Sequence, residues 1–259
     1  MQVENPIVSL HQVEVNFDGY KAVNDVTIDF PAKGVHFIIG PNGAGKTTIL
    51  DVICGRVKAA KGNVVYQQKK EIQNLKPEKI VHLGISRKFQ NPTIFPTQTV
   101  HENMKLAIIS GKSPFWYLIQ TKLSEKQKQK IDEVLDSLDL LPYKSAISGS
   151  LSHGQKQWLE IAMAIINEPD LLLVDEPIAG MTPKERNKTG ELLQKIGQER
   201  TVFVVEHDMK VVSGSDWIID MGPGAGDEGG KVVTAGVPLA VASAKIGRTA
   251  YYLKQFLKN

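Results

Sequence analysis

Gly40-Pro41-Asn42-Gly43-Ala44-Gly45-Lys46-Thr47 fills every fixed position of the phosphate-binding pattern G-x-x-x-x-G-K-[ST], directly after the apolar run Val35-His36-Phe37-Ile38-Ile39 and before a helix-forming stretch. The pattern demands a strand, a tight loop and a helix in succession, so an α/β protein that binds a nucleoside triphosphate is expected. Glycines let backbone N–H groups close around phosphate, and the helix points its positive N-terminus at the anion. Lys46 supplies a point charge for the outer phosphates, and the Thr47 hydroxyl sits where it can ligate Mg²⁺. Thr48 either supports the phosphates or packs.

At 259 residues and 42% apolar composition, the chain can bury a sizeable core as one large domain or two small ones. Its one cysteine, Cys54, excludes an internal disulfide and a cysteine-only zinc site, fits a reducing compartment and reads as helix packing. No N-terminal segment has the form of a secretory signal, and no stretch of about 18 apolar residues is available to cross a bilayer. Any membrane role is therefore expected to run through a partner. The net charge of +3 is mild, and the basic run Lys126, Lys128, Lys130 alternates with glutamines on a helix surface, unlike the basic stripe of a duplex-binding protein.

Residues 7–15 and 21–30 alternate apolar and polar side chains around Phe17-Asp18-Gly19, the pattern of an antiparallel hairpin. A helix follows the phosphate loop to about Cys54, and Val64-Val65-Tyr66 reads as a short strand. From Thr99 to about Leu141 the period becomes helical, with Ser124-Glu125-Lys126-Gln127 as a capping box ahead of Ile131, Val134, Leu135 and Leu138. Leu171-Leu172-Leu173-Val174 and Val202-Phe203-Val204-Val205 are continuous apolar runs, as expected of parallel strands buried on both faces. Thr182-Pro183-Lys184-Glu185 starts a helix between them, which Gly197 is placed to end.

Two further strand ends carry polar chemistry. Leu171 to Pro177 ends in adjacent carboxylates, placing Asp175 near Mg²⁺ and Glu176 where it can take a proton from attacking water. Val205-Glu206-His207-Asp208 puts His207 at the end of the second buried run. Leu151-Ser152-His153-Gly154-Gln155 opens a long helix through Ile166, with Ser152 as N-cap and Gly154 allowing close approach of a phosphate.

Ser152-x-Gly154-Gln155 resembles the signature motif of ABC ATPases, and the other elements stand in that family's order. The resemblance implies that Gln90 is the Q-loop glutamine, touching Mg²⁺ and sensing the membrane partner, and that Asp175 and Glu176 are the Walker B pair. Ala179-Gly180-Met181-Thr182 would then be the D-loop, His207 the switch histidine, and Phe17 the aromatic that stacks on adenine. The implied fold is a P-loop ABC ATPase with a RecA-like core, an antiparallel β subdomain and a helical subdomain. Residues 1–259 would form one such domain, with the helical subdomain over about 91–165 and an atypical C-terminal segment over about 206–259. The wording Gly84-Ile85-Ser86-Arg87-Lys88-Phe89-Gln90-Asn91-Pro92-Thr93 and Leu151 to Ile161 is similar to the ATP-binding subunits of urea importers, themselves close to the branched-chain amino-acid importers. His153 replaces the glycine usual in the broader signature, as is typical of that subgroup.

What the resemblance implies is an ATP- and Mg²⁺-dependent ATPase that drives uptake of urea or a related small solute. Its partners would be a second ATPase subunit, a membrane permease and, indirectly, a solute-binding protein, and it would sit on the cytoplasmic face of the membrane through the permease. After His207 the wording changes. Ser215 to Gly224, Gly226 to Gly230 and Thr249 to Lys254 resemble the C-terminal end of UvrA, the damage-recognition ATPase of nucleotide excision repair, as though the chain were a chimera. That segment motivates a rival reading, a DNA-repair ATPase, against which stand the single phosphate loop and the lack of zinc-site cysteines; a third is a soluble ABC protein without a permease. Gly224-Ala225-Gly226-Asp227-Glu228-Gly229 matches the dinucleotide pattern G-x-G-x-x-G, but the strand pattern that follows makes it a turn between two terminal strands.

Overall fold

The computed structural model describes residues 3–88, 94–110, 123–224, 229–244 and 249–257. The N-terminal hairpin forms from β1 (Val8–Phe17) and β2 (Tyr20–Phe30), joined by Asp18 and Gly19, both at positive φ. This two-residue turn suits the right-handed twist of the strands, and pairs Phe17 with Tyr20. β3 (Gly34–Ile39) delivers the phosphate loop, and α1 (Lys46–Ile53) leaves it. β4 (Lys61–Tyr66) and β5 (Lys70–Glu71) then complete an antiparallel sheet of order β2-β1-β4-β5.

The second sheet begins after α2 (Pro77–His82), with β6 (Ile85–Lys88). The helical stretch holds α3 (Val100–Ser110) and α4 (Glu125–Ser137), whose expected capping box between Ser124 and Gln127 is present; residues 111–122 lie outside the described ones. α5 (His153–Ile165) leads to β7 (Leu171–Asp175), and α6 (Pro183–Glu199) to β8 (Thr201–Val205). α7 (Met209–Val212), β9 (Trp217–Gly222), β10 (Lys231–Gly236), α8 (Pro238–Ala242) and α9 (Thr249–Phe256) follow.

The larger sheet has the order β10-β9-β3-β8-β7-β6, parallel except for β10. Its strands are apolar on both faces because both faces are covered. Leu172, Val174, Val202 and Val204 join the core beneath the helices, while Leu171, Leu173, Phe203 and Val205 join the core shared with α1 and the antiparallel sheet. Phe203 stacks on Phe30 at 4.7 Å between ring centroids, tying the two sheets together. Removing that ring is expected to cost about 3–5 kcal/mol.

One expectation is corrected by this arrangement. Gly197 does not end its helix: α6 continues to Glu199, and Gly197 faces β3, where an added Cβ would lie 2.7 Å from Val35. The glycine serves close approach of helix to sheet. In the C-terminal segment, β9 hydrogen-bonds in parallel beside β3, the strand that delivers the phosphate loop. β9 and β10 are antiparallel neighbours, as expected, although residues 225–228 of their connection lie outside the described residues.

Candidate active site

Three neighbouring parallel strands, β3, β8 and β7, end on the same edge of the sheet, the edge at which open α/β sheets bind ligands. Their ends deliver Gly40, Glu206-His207 and Asp175-Glu176. The phosphate loop is shaped by Gly40, Gly43 and Gly45 at φ of 139°, 78° and 88°. A Cβ on Gly40 would collide with the Met221 carbonyl of β9, and one on Gly45 with the Ala22 carbonyl of β2, so the loop is wedged between both sheets. The Ala44 N–H donates to the Pro41 carbonyl at 3.2 Å, closing the turn over Asn42. Thr48 lies in the first turn of α1.

The Lys46 ammonium is buried over the loop, donating to the carbonyls of Gly40 at 3.0 Å and Pro41 at 2.8 Å. Burial lowers its pKa, against the attraction of Glu176 and Asp175. Thr47 Oγ1 donates to Asp175 Oδ1 at 3.4 Å. The other Asp175 oxygen accepts from Arg87 Nη2 at 3.3 Å, and Arg87 Nη1 reaches Asp51 of α1 at 2.9 Å. Burial raises the Asp175 pKa, with Arg87 and the Thr47 hydroxyl pulling the other way. Glu176 adopts a φ of 46°, a conformation that disfavours a side chain, and its N–H is held by the Val205 carbonyl. That turn leaves Glu176 Oε1 at 3.8 Å from His207 Nε2. Burial and then the Lys46 charge lower the His207 pKa, favouring the neutral ring.

The signature residues form a second cluster. Ser152 caps α5, as expected, and Gln155 reciprocates by accepting from the Ser152 N–H. His153 Nε2 lies 3.0 Å from the Ala179 carbonyl, and the Ser152 hydroxyl donates to Glu185 at 3.3 Å. Glu185 also accepts from the N–H and hydroxyl of Thr182, the cap of α6, and its carboxylate lies beside Gly154, 2.5 Å from where an added Cβ would stand. Ser152 and His153 are thus bonded to Glu185 and Ala179 in the segment that follows Glu176, with Gly154 beside the Glu185 side chain.

Phe17 is 46% exposed at the hairpin tip, and its cross-strand partner Tyr20 donates its hydroxyl to the Gly43 carbonyl at 3.2 Å. The hairpin tip is thereby tied to the phosphate loop, a contact that the sequence reading missed. It also missed Glu206, whose buried carboxylate accepts from the N–H groups of His207 at 2.7 Å and Ile178 at 3.3 Å. Arg87 and Asp51 were missed as site residues too, since nothing local marks a charge that pairs with distant carboxylates. Gln90 lies outside the described residues.

A family model described as ABC transporter matches residues 23–179. LivG of Escherichia coli (strain K12), a high-affinity branched-chain amino acid transport ATP-binding protein, is 30% identical over 251 residues, covering 92% of each chain. That similarity therefore runs past His207 into the C-terminal segment. The structure resembles an ATP-binding cassette of an ABC transporter in its ADP conformation, with a TM-score of 0.77 and 31% identity over 89% of this chain and 91% of the other. It also resembles a dimeric cassette in a post-hydrolysis state bound to ADP and Pi, with a TM-score of 0.73 and 25% identity over 89% of this chain and 98% of the other.

Proposed function

Because this chain belongs to the ABC transporter family, as an ATP-hydrolysing subunit with the cassette fold, we propose that two copies close head to tail on two ATP molecules and drive uptake of a small solute through a membrane permease. The observation that carries the reading is the meeting of Lys46, Asp175, Glu176 and His207 at one sheet edge, while the signature start is held by the segment after Glu176. Loop amides and Lys46 hold the phosphates, and Phe17 stacks on adenine from a hairpin tip that Tyr20 fixes to the loop. Glu176 is the general base for the attacking water. His207, positioned by Glu206, keeps water and γ-phosphate in register. Ser152, Gly154 and Gln155 offer a helix N-terminus to the γ-phosphate on the other copy.

Thr47 and Asp175 fit Mg²⁺: a hydroxyl and a carboxylate already lie 3.4 Å apart, and such ions take one or two protein oxygens and complete their shell with phosphate and water. Gln90 is proposed as a further ligand. When bound, the ion neutralises charge on the phosphates during transfer. Among the described residues no helix is long and apolar enough to cross a membrane, in keeping with peripheral attachment through the permease.

For the solute we propose urea or a related small molecule, on the wording around Arg87 to Thr93 and His153. The similarity to LivG favours a second reading, a branched-chain amino acid. Uptake of labelled urea and labelled leucine by cells with and without the gene separates the two. The dimer mechanism is tested by light scattering of the Glu176→Gln protein with and without ATP-Mg²⁺: an ATP-dependent shift from monomer to dimer is expected, and a monomer that binds ATP would count against it.

A further inference from the structure

β6 ends in two consecutive basic residues whose side chains are buried on opposite faces of the sheet. Arg87, with its side chain 4% exposed, points to the α1 face, bridging Asp51 and Asp175. Lys88, 1% exposed, points to the helix face, where its ammonium lies 3.6 Å from Glu160 of α5, itself 1% exposed. Alternation along a strand requires this divergence. One dipeptide thus touches the helix that leaves the phosphate loop, the carboxylate beside Thr47 and the helix that begins at the signature.

A buried pair of this kind is a poor device for stability, because desolvation of both ions offsets their attraction and apolar replacements of similar volume are commonly neutral or stabilising. Burial lowers the Lys88 pKa while Glu160, Asp175 and Glu176 oppose that, so the ammonium faces a field of three carboxylates. Its value lies in directionality: a charge pair fixes one relative placement of β6 and α5, where apolar contacts would permit several.

We propose that Lys88 and Glu160 are positioning residues that hold the signature helix in register with the nucleotide half-site of the same chain, with Arg87 anchoring the opposite face. This rests on the dimer reading above and adds to it a strut inside each subunit. The ATP gripped by the phosphate loop and the signature offered to the other copy's ATP are held at a set distance through β6. The strut acts on closure and turnover, leaving ATP binding to the isolated subunit alone.

The test is the double substitution Lys88→Met with Glu160→Leu, made in the full chain and in its Glu176→Gln form. Expected are a melting temperature at or above that of the parent, monomer affinity for ATP within twofold, and turnover lowered at least tenfold with loss of the ATP-induced dimer. Lys88→Arg, which keeps the charge, is expected to retain most turnover. A double variant that turns over and dimerises like its parent would overturn the strut. So would one that fails to fold, which would make the pair a stability element, or one that loses ATP affinity in proportion to turnover. If the Glu176→Gln parent itself stays monomeric with ATP, it is the dimer reading that fails.

Discussion

The phosphate-loop half and the signature half of this molecule are built by different means. The first is wedged between two sheets, with glycines that have no room for a Cβ and with charges buried against each other. The second is an exposed helix start, held in shape by reciprocal caps and by Glu185, its serine and histidine open to solvent. On the dimer mechanism proposed above, the contrast separates a receptor, which must be rigid before ligand arrives, from a presented surface, which must reach a ligand held elsewhere. Preorganised donors in a dry site are the usual source of rate; short caps are enough to aim a helix end.

The contrast can be tested in order of effect. Glu176→Gln is expected to lower phosphate release by about a thousandfold while ATP binding persists, as read by single-turnover assay and by titration. Release at the parent rate would move the base out of the first half. Gly45→Ala forces a side chain to φ 88° and into the Ala22 carbonyl, and should cost about 4 kcal/mol in urea unfolding. A neutral result would show that the loop is not wedged.

The third test concerns Asp220 of β9, opposite Ile39 at the end of β3, whose pKa burial pushes up to about 6 against a bond to Thr249. The folded state holds a proton that the unfolded chain releases, so stability should fall as pH rises from about 4 to about 6, by up to about 3 kcal/mol, and stay lower above. Asp220→Asn should flatten that slope in melting curves at pH 4.5 and 7.5; an unchanged slope would assign it to other groups. Smallest in stability is Ser152→Ala, expected to cost about 1 kcal/mol as a lost cap. It should nevertheless abolish the ATP-induced dimer of the Glu176→Gln protein, separating presentation from folding.

Features specified within a few residues were legible from sequence. The strand-loop-helix around Lys46, the helix caps at Ser124, Ser152 and Thr182, and the buried strands before Asp175 and His207 need only neighbours to form. What escaped depends on contacts between distant parts of the chain. Gly197 has the local mark of a helix end, yet its role is set by Val35, over 160 residues away. Arg87 looks like one more surface cation until the sheet places Asp51 and Asp175 around it. The wording of the C-terminal segment gave no sign that β9 would lie beside β3 beneath the phosphate loop, a place set by residues about 180 positions earlier.

That last placement has a consequence for biosynthesis. The phosphate loop is finished as sequence at Thr47, but the carbonyl that backs Gly40 belongs to Met221, and β9 must be made before β3 acquires its second parallel neighbour. A nascent chain is therefore expected to carry the full motif through most of its synthesis without gripping nucleotide. Ribosome-bound chains halted before β9 should fail to retain an ATP analogue that chains halted after β10 retain; retention by the shorter ones would show that the loop sets without its floor. Timing of this kind would keep half-made subunits from closing on ATP before they can hydrolyse it.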